Sequence, residues 1–195
     1  MNIEKHPFEP FLPVNAKILF LGSFPPQPHR WCMPFYYPNW INDFWRIIGL
    51  IHFNDKDHFC NTTEKRFNEA DIRAFCTQKG LAFYDTATEI IRLKDNASDA
   101  FLEVVTPTDI PALLKQIPNC ETLVTTGQKA TDVIAQTFNC PIPPIGASIQ
   151  LNIETGHTQD VSPIIREITF HRMPSTSRAY PLSLEKKAAA YRLIF

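Results

Sequence analysis

The stretch AKILFLG, residues 16–22, is the clearest indication of fold in this sequence. Its nearly unbroken apolar run is typical of a strand that is covered on both faces, as in a parallel sheet. LAFYDT (residues 81–86) and ETLVTTG (residues 121–127) have the same character. ASIQLNIE and REITFHRMP indicate two more strands further along the chain. The sequence therefore predicts a central sheet.

Helical patterns alternate with these strands. In INDFWRIIGLI, residues 41–51, the apolar side chains fall at helical spacing, with Asn42 in the first turn. Further helices are predicted over residues 62–80, 106–118 (begun by Thr108), 128–138 and 183–194 (capped by Ser183). This alternation predicts an α/β fold, a three-layer α/β/α sandwich with a mainly parallel central sheet. Ligands in such folds bind beyond the carboxyl ends of the strands.

Composition limits the class of protein. The 195 residues suit a single domain over residues 1–195, and 44% hydrophobic with 20% charged residues excludes a disordered chain. Lys and Arg number 19 against 20 Asp and Glu, a net charge of −1 that excludes a strongly cationic nucleic-acid coat protein but permits a local basic groove. Because no apolar run reaches the roughly 18 residues of a membrane span and the opening residues have no apolar signal core, we expect a cytoplasmic protein.

The usual signatures of metal sites, hydrolases and oxidoreductases are absent from the sequence. Its five cysteines include no CxxC pair, so we expect reduced thiols and no metal. The motifs GxSxG, HExxH, GxxxxGKS/T and GxGxxG do not occur. We therefore expect no cofactor, and any chemistry must come from other residues.

Three other stretches could form a site. The first strand ends in LGSFPP, an aromatic loop reads FYYPNWINDFW, and the last strand ends in HRMPSTSRAYP. The first can turn the backbone N–H groups of Ser23 and Phe24 toward a polar acceptor. The second offers flat aromatic faces, and the third offers hydroxyls and an arginine. Together they would suit a flat heteroaromatic ring attached to a phosphate-bearing chain.

These stretches resemble, in order, the motifs of the uracil-DNA glycosylase superfamily, nearest its mismatch-specific uracil-DNA glycosylase and hypoxanthine-DNA glycosylase branches. The resemblance is carried by G-x-x-P at residues 22–25, by FYY and N-x-F-W at residues 35–37 and 42–45, and by P-S-x-S at residues 174–177. It implies a uracil-DNA glycosylase-like fold and a monofunctional DNA N-glycosylase without a cofactor. Such an enzyme hydrolyses the N-glycosidic bond of a deaminated base, uracil or hypoxanthine, in base-excision repair.

The resemblance also implies roles for single residues, once the damaged nucleotide has flipped out of DNA. Asn42 would orient the attacking water, and Tyr37 would stack on the base. Ser23 and Phe24 would hydrogen-bond the base edge through their backbone and the Ser23 hydroxyl. Contacts to DNA would come from Ser175, Ser177, Lys129 and Arg178. The arginine would add charge there or probe the gap that the flipped base leaves. The expected partner is damaged DNA, duplex or single-stranded, bound by a monomer without membrane contact.

Two positions depart from the superfamily pattern. Phe24 stands where many members have an Asp or Asn that holds the attacking water. The hypoxanthine-DNA glycosylase branch shares this loss and has its catalytic asparagine in the N-x-F-W motif, which corresponds to Asn42. Met173 stands where several branches have a histidine, so the leaving base loses a hydrogen-bond donor.

Other interpretations stay open at this point. The same pocket would suit a module that binds nucleic acid or nucleobases without catalysis, and an unrelated small-molecule hydrolase is a further alternative. Asn42 could cap its helix, the two tyrosines could pack their loop, the serines of P-S-x-S could close a turn, and the two basic residues could be solvated surface charges. Asp85 could position a second water or cap its loop. Uracil, hypoxanthine and xanthine are all possible bases.

Overall fold

The secondary structure comes from a computed structural model, which describes residues 2–93 and 99–195. In chain order the strands are β1 (Ile3–Lys5), β2 (Ile18–Gly22), β3 (Cys60–Asn61), β4 (Arg66–Phe67), β5 (Leu81–Asp85), β6 (Ala87–Arg92), β7 (Leu102–Pro107), β8 (Thr122–Thr126), β9 (Ser148–His157) and β10 (Pro163–Met173). The helices are α1 (Phe44–Phe53), α2 (Glu69–Lys79), α3 (Ile110–Gln116), α4 (Gln128–Thr137) and α5 (Leu184–Tyr191).

A five-stranded sheet in the order β5-β2-β8-β10-β9 forms the centre of the molecule. Adjacent strands of this sheet run parallel from β5 to β10, and β9 pairs antiparallel with β10 at the edge. Every residue of β5 is buried, and Phe20 of β2 stacks on Phe83 with ring centroids 5.3 Å apart. Helices flank the sheet. The expected α/β fold with a mainly parallel central sheet is confirmed.

Three helices begin later than the sequence predicts. The start of the helix predicted over residues 62–80 is instead the short strand β4, which pairs antiparallel with β3, and α2 begins only at Glu69, after Asn68 caps it by accepting from Asp71 N–H. A turn at residues 39–42 precedes α1, so that helix starts at Phe44 and Asn42 lies outside its first turn. The cap of α3 is Asp109, whose carboxylate accepts from Ala112 N–H at 3.0 Å, and not Thr108. Ser183 caps α5 as predicted. Within the described ranges, no helix is long and apolar enough to cross a membrane.

A second sheet, in the order β1-β6-β7, was not predicted. Its strands are antiparallel, and they bring the amino-terminal residues against the middle of the chain. Phe24, in the loop after β2, packs against Ala87, Ile90 and Leu102 of this sheet. The second sheet therefore stands beside the carboxyl end of the main sheet, where a ligand is expected to bind.

Candidate active site

A cleft of about 710 Å³ opens at the carboxyl ends of the parallel strands. Its lining comes from the ends of β2, β5 and β8 and from the loop after β10. Seven of the eight residues selected from the sequence line it: Ser23, Phe24, Tyr37, Asn42, Ser175, Ser177 and Arg178. The eighth, Lys129, lies outside the lining, half-buried in the first turn of α4. Stretches far apart in sequence thus meet in one cleft.

The Tyr37 ring lies in the wall of the cleft, where contacts with Phe44 and Thr126 fix its position. It stacks on Phe44 with centroids 3.9 Å apart and 7° between the planes. Its hydroxyl hydrogen-bonds to Thr126 Oγ1 at 2.9 Å. The φ of Tyr37 is 52°, a left-handed conformation that is unfavourable for a bulky residue and recurs at functional sites. Burial raises the pKa of Tyr37, so the side chain stays a neutral phenol at physiological pH.

Asn42 faces the cleft from the turn ahead of α1. Its N–H donates to the Asn39 carbonyl at 2.8 Å, which closes that turn. Its Oδ1 accepts from Phe44 N–H at 2.8 Å, and this donor fixes which end of the amide is oxygen. An amide oxygen has two lone pairs, so the same Oδ1 can also accept from a water. Asn42 can therefore support the helix start and orient a water at once.

The hydrogen-bond partner of the Ser23 hydroxyl differs from the one that the sequence predicted. Ser23 Oγ donates to Asp99 Oδ1 at 2.7 Å, so the proton expected to hold a base edge is used within the protein. Asp99 begins a short 3-10 helix (Asp99–Phe101) just ahead of β7 and lines the cleft together with the end of β2. Burial raises the pKa of the Asp99 carboxyl. Phe24 is buried against the second sheet and gives the cleft an apolar wall.

A carboxylate paired with a histidine also lines the cleft, and the sequence did not reveal this pair. Asp85 ends β5, and its Oδ2 lies 2.9 Å from His6 Nε2. The other ring nitrogen of His6 lies 2.8 Å from the Phe8 carbonyl. A Cβ at Gly22 would lie 2.4 Å from Asp85 Oδ1, so only glycine permits this approach. The Asp85 carboxylate is thus oriented by His6 and does not cap its own loop.

Buried charges tie the loop after β10 to α1 and α5. Lys187 is 1% exposed, and its Nζ donates to Asp43 Oδ2 at 2.9 Å and to the Ser177 carbonyl at 2.8 Å. Asp43 N–H donates to the Thr176 carbonyl at 2.9 Å. The Arg178 guanidinium lies 3.3 Å from Asp43 Oδ1. The residue that follows the candidate catalytic asparagine therefore holds the P-S-x-S loop in place.

The two serines of that loop have internal partners. Ser175 Oγ accepts from Ser177 N–H at 3.2 Å, and Ser177 Oγ accepts from Ala179 N–H at 3.3 Å. They close turns, as one interpretation of the sequence held, and the Ser177 N–H is not free for a phosphate. Each hydroxyl keeps its own proton as a donor.

The strand before this loop supplies no polar group to the cleft. Met173 is buried in the main core, and His171 lies on β10 between β8 and β9. All five cysteines are free thiols. Across residues 2–93 and 99–195, no group of three or more His, Cys, Asp or Glu side chains is placed to hold a metal ion.

The chain is similar to solved structures, one of which it matches over nearly its whole length. That one is the solution NMR structure of a putative uracil DNA glycosylase from Methanosarcina acetivorans, with a TM-score of 0.59 and 18% sequence identity over 99% of each chain. No protein-family model and no curated protein matches the sequence. The chain therefore has a uracil-DNA glycosylase-like fold.

Proposed function

We propose that the protein is a DNA glycosylase that hydrolyses the N-glycosidic bond of a deaminated base flipped into the cleft. The observation that carries the proposal is the convergence of a stacking ring, an amide and a carboxylate, from Tyr37, Asn42 and Asp85, in one cleft beside a hydroxyl-rich loop. Its volume of about 710 Å³ lies in the range of small-ligand sites. The uracil-DNA glycosylase-like fold supports the proposal.

The base would lie on the face of Tyr37 opposite Phe44, a stacking contact worth about 1–3 kcal/mol. Deamination of cytosine or adenine converts a ring nitrogen from a hydrogen-bond acceptor to an N–H donor. A carboxylate such as that of Asp85 only accepts. Asp85 would therefore favour uracil over cytosine and hypoxanthine over adenine. Phe24 would pack against the base as an apolar wall.

Asn42 would orient a water toward the sugar carbon. As the N-glycosidic bond breaks, the sugar becomes cation-like and the base carries the departing electron pair. A neutral amide is a weak base, so much of the rate must come from positioning and electrostatics. Carboxylate charge in the cleft would stabilise the cation-like sugar.

The remaining contacts would position the DNA. The hydroxyls of Ser175 and Ser177 can donate to phosphates that flank the flipped nucleotide. Lys129, outside the cleft lining, and Arg178 would add positive charge. Contacts of this kind fix the register of the duplex and carry no sequence information directly.

Base release from labelled duplexes that contain uracil, hypoxanthine or xanthine tests the proposal. Low salt is needed because phosphate-driven affinity falls steeply as salt rises. Asn42→Ala should retain DNA binding and slow base release about 100-fold or more, since it removes the water-orienting oxygen. Asn119→Ala, an exposed asparagine ahead of β8 at the opposite end of the sheet, should release base at the wild-type rate.

A non-catalytic binding module is the second candidate function. It is favoured by Phe24 and Met173 at usually polar positions and by the Ser23 proton already donated to Asp99. DNA binding without release of any of the three bases would establish that the protein is a binding module. Release that survives Asn42→Ala unchanged would refute the role of Asn42. Activity on free nucleosides but not on DNA would indicate a small-molecule hydrolase.

A further inference from the structure

Alternate side chains of β1 and the residues after it turn inward, toward the cleft. Glu4, His6 and Phe8 are partly buried, and the residues between them are exposed. The Arg92 guanidinium pairs with both carboxylate oxygens of Glu4 and donates to the Pro25 carbonyl at 3.1 Å. The ring of Phe8 lines the cleft. This extended segment therefore contacts the wall of the cleft along its length.

His6, in the middle of the segment, reaches the carboxylate of Asp85. Its side chain is 2% exposed and packs against the rings of Tyr84 and Phe24, with centroids 4.6 and 5.2 Å away. Nε2 lies 2.9 Å from Asp85 Oδ2 and must carry a proton there, because a carboxylate only accepts. Nδ1 can accept from Phe8 N–H at 3.2 Å or, when protonated, donate to the Phe8 carbonyl at 2.8 Å. Both forms of the ring keep the contact with Asp85.

This contact leaves one oxygen of Asp85 for a ligand. Among the residues that the structure describes, His6 is the only side chain that hydrogen-bonds to the Asp85 carboxylate, through Oδ2. Oδ1 lies over Gly22, in the space that a Cβ there would occupy, and Asp85 lines the cleft. His6 therefore determines where the available oxygen points.

We propose that His6 is a positioning residue that sets the preference of the cleft for bases with a ring N–H. This inference rests on the proposed function, in which Asp85 accepts from that N–H. A site built to bind an N–H rejects a base that lacks it, because the polar group of the site is then left unpaired. A carboxylate that is free to turn would avoid this penalty by finding water. His6 removes that freedom without touching the base.

Methylation of the ring N–H provides a probe for this preference. Competition binding in the Asn42→Ala background compares single strands that carry uracil or 3-methyluracil, and hypoxanthine or 1-methylhypoxanthine. The ratio of the two affinities isolates the hydrogen bond, since general damage to the fold lowers both affinities together. His6→Leu should lower this ratio about tenfold, whereas His6→Gln, which keeps a side-chain N–H for Asp85, should stay within about twofold of the parent.

Two further variants separate positioning from packing. His171→Leu removes a partly buried histidine on β10, outside the cleft lining, and should leave the ratio unchanged. Asp85→Ala should lower the ratio by itself, and adding His6→Leu should then lower it no further, because the two residues act through one hydrogen bond.

Three results would overturn the role of His6. They are an unchanged ratio in His6→Leu, an equal loss in His6→Gln, and losses that add when His6→Leu is combined with Asp85→Ala. Wild-type protein that prefers the unmethylated base but releases none would instead contradict the proposed function and leave the role of His6 standing.

Discussion

Among the described residues, two carboxyl groups line the cleft, and the protein holds them differently. Asp85 is paired with His6 across 2.9 Å, and Gly22 leaves room for it. Asp99 accepts from the Ser23 hydroxyl and lies in a segment where burial raises its pKa. The first is an acceptor oriented by a histidine at the cleft wall, whereas the second accepts from a serine hydroxyl. The two groups should therefore respond differently to substitution.

Asp99 should make the free energy of unfolding depend on pH. Its carboxyl pKa in the folded protein lies above the ordinary 3.8, so the folded state binds the proton more tightly than the unfolded chain. The tighter proton binding stabilises the folded state fully below pH 3.8, and this stabilisation is lost as pH rises through the pKa of Asp99 in the folded protein. Asp99→Asn keeps an acceptor for Ser23 and carries no charge. Urea denaturation should show that it is more stable than wild type at pH 7, with the difference shrinking toward pH 4.

A stability difference that is the same at both pH values would contradict this account of Asp99. Ser23→Ala serves as the control, because it removes the donated hydrogen bond and leaves the carboxyl group in place. Since that bond lowers the pKa of Asp99, its loss should enlarge the pH dependence.

At the scale of elements, α5 joins the cleft to the core through a lysine on its buried face. Lys187→Met would leave Asp43 buried with Arg178, which is half in solvent, as its remaining ion-pair partner. Removing one partner of a buried ion pair costs about 3–5 kcal/mol, and the P-S-x-S loop should loosen as well. Chemical denaturation measures the first effect, and base release at saturating DNA measures the second. Lys186→Met, at the exposed neighbouring position, should change stability by less than about 0.5 kcal/mol.

The elements found from the sequence are those whose signal is local. The apolar runs of β2, β5 and β8 predicted the central sheet. They also predicted which loops follow the carboxyl ends of its strands, and these loops form the cleft. The second sheet was missed because β1 has only three residues, and they pair with Ile91, Ile90 and Glu89 far along the chain. The start of α1 was misplaced because a turn competes with the helix for residues 39–42.

Residues of the site were likewise found where their signal is local and missed where it depends on contacts between distant parts of the chain. Seven candidate residues line the cleft because each lies in a loop beside a recognisable strand or helix. His6 and Asp85 are 79 positions apart, and no spacing pattern connects them. Lys187 did leave a signal, since Leu184, Lys187, Ala188 and Tyr191 share one face of a helix. A lysine on an apolar face implies a buried acidic partner, which the structure identifies as Asp43.

At the scale of the whole molecule, the charge distribution predicts a weak dependence of DNA affinity on salt. In the described part of the chain, the cations that line the cleft are Arg30, Arg92 and Arg178, and the last two are paired with Glu4 and Asp43. If Arg30, Arg178 and Lys129 each neutralise a phosphate, the slope of log K against log salt should be roughly −3. Lys129→Ala should make that slope shallower by about 1 if Lys129 binds a phosphate.

Lys115→Ala is the control for that titration, because Lys115 is exposed near the end of α3 and should leave the slope unchanged. An identical slope for Lys129→Ala and Lys115→Ala would mean that Lys129 is a solvated surface charge. The single domain and the monomeric state stay predictions.

The cleft is assembled from both ends of the chain. His6, just after β1, orients Asp85, and Lys187, in α5, secures the loop that faces it. During synthesis on the ribosome, the first residues must wait for β6 before β1 has a strand to pair with. The last contacts form only after α5 has emerged from the exit tunnel. A nascent chain therefore cannot complete the cleft before α5 has been made, and any chemistry that needs the whole cleft must wait until then.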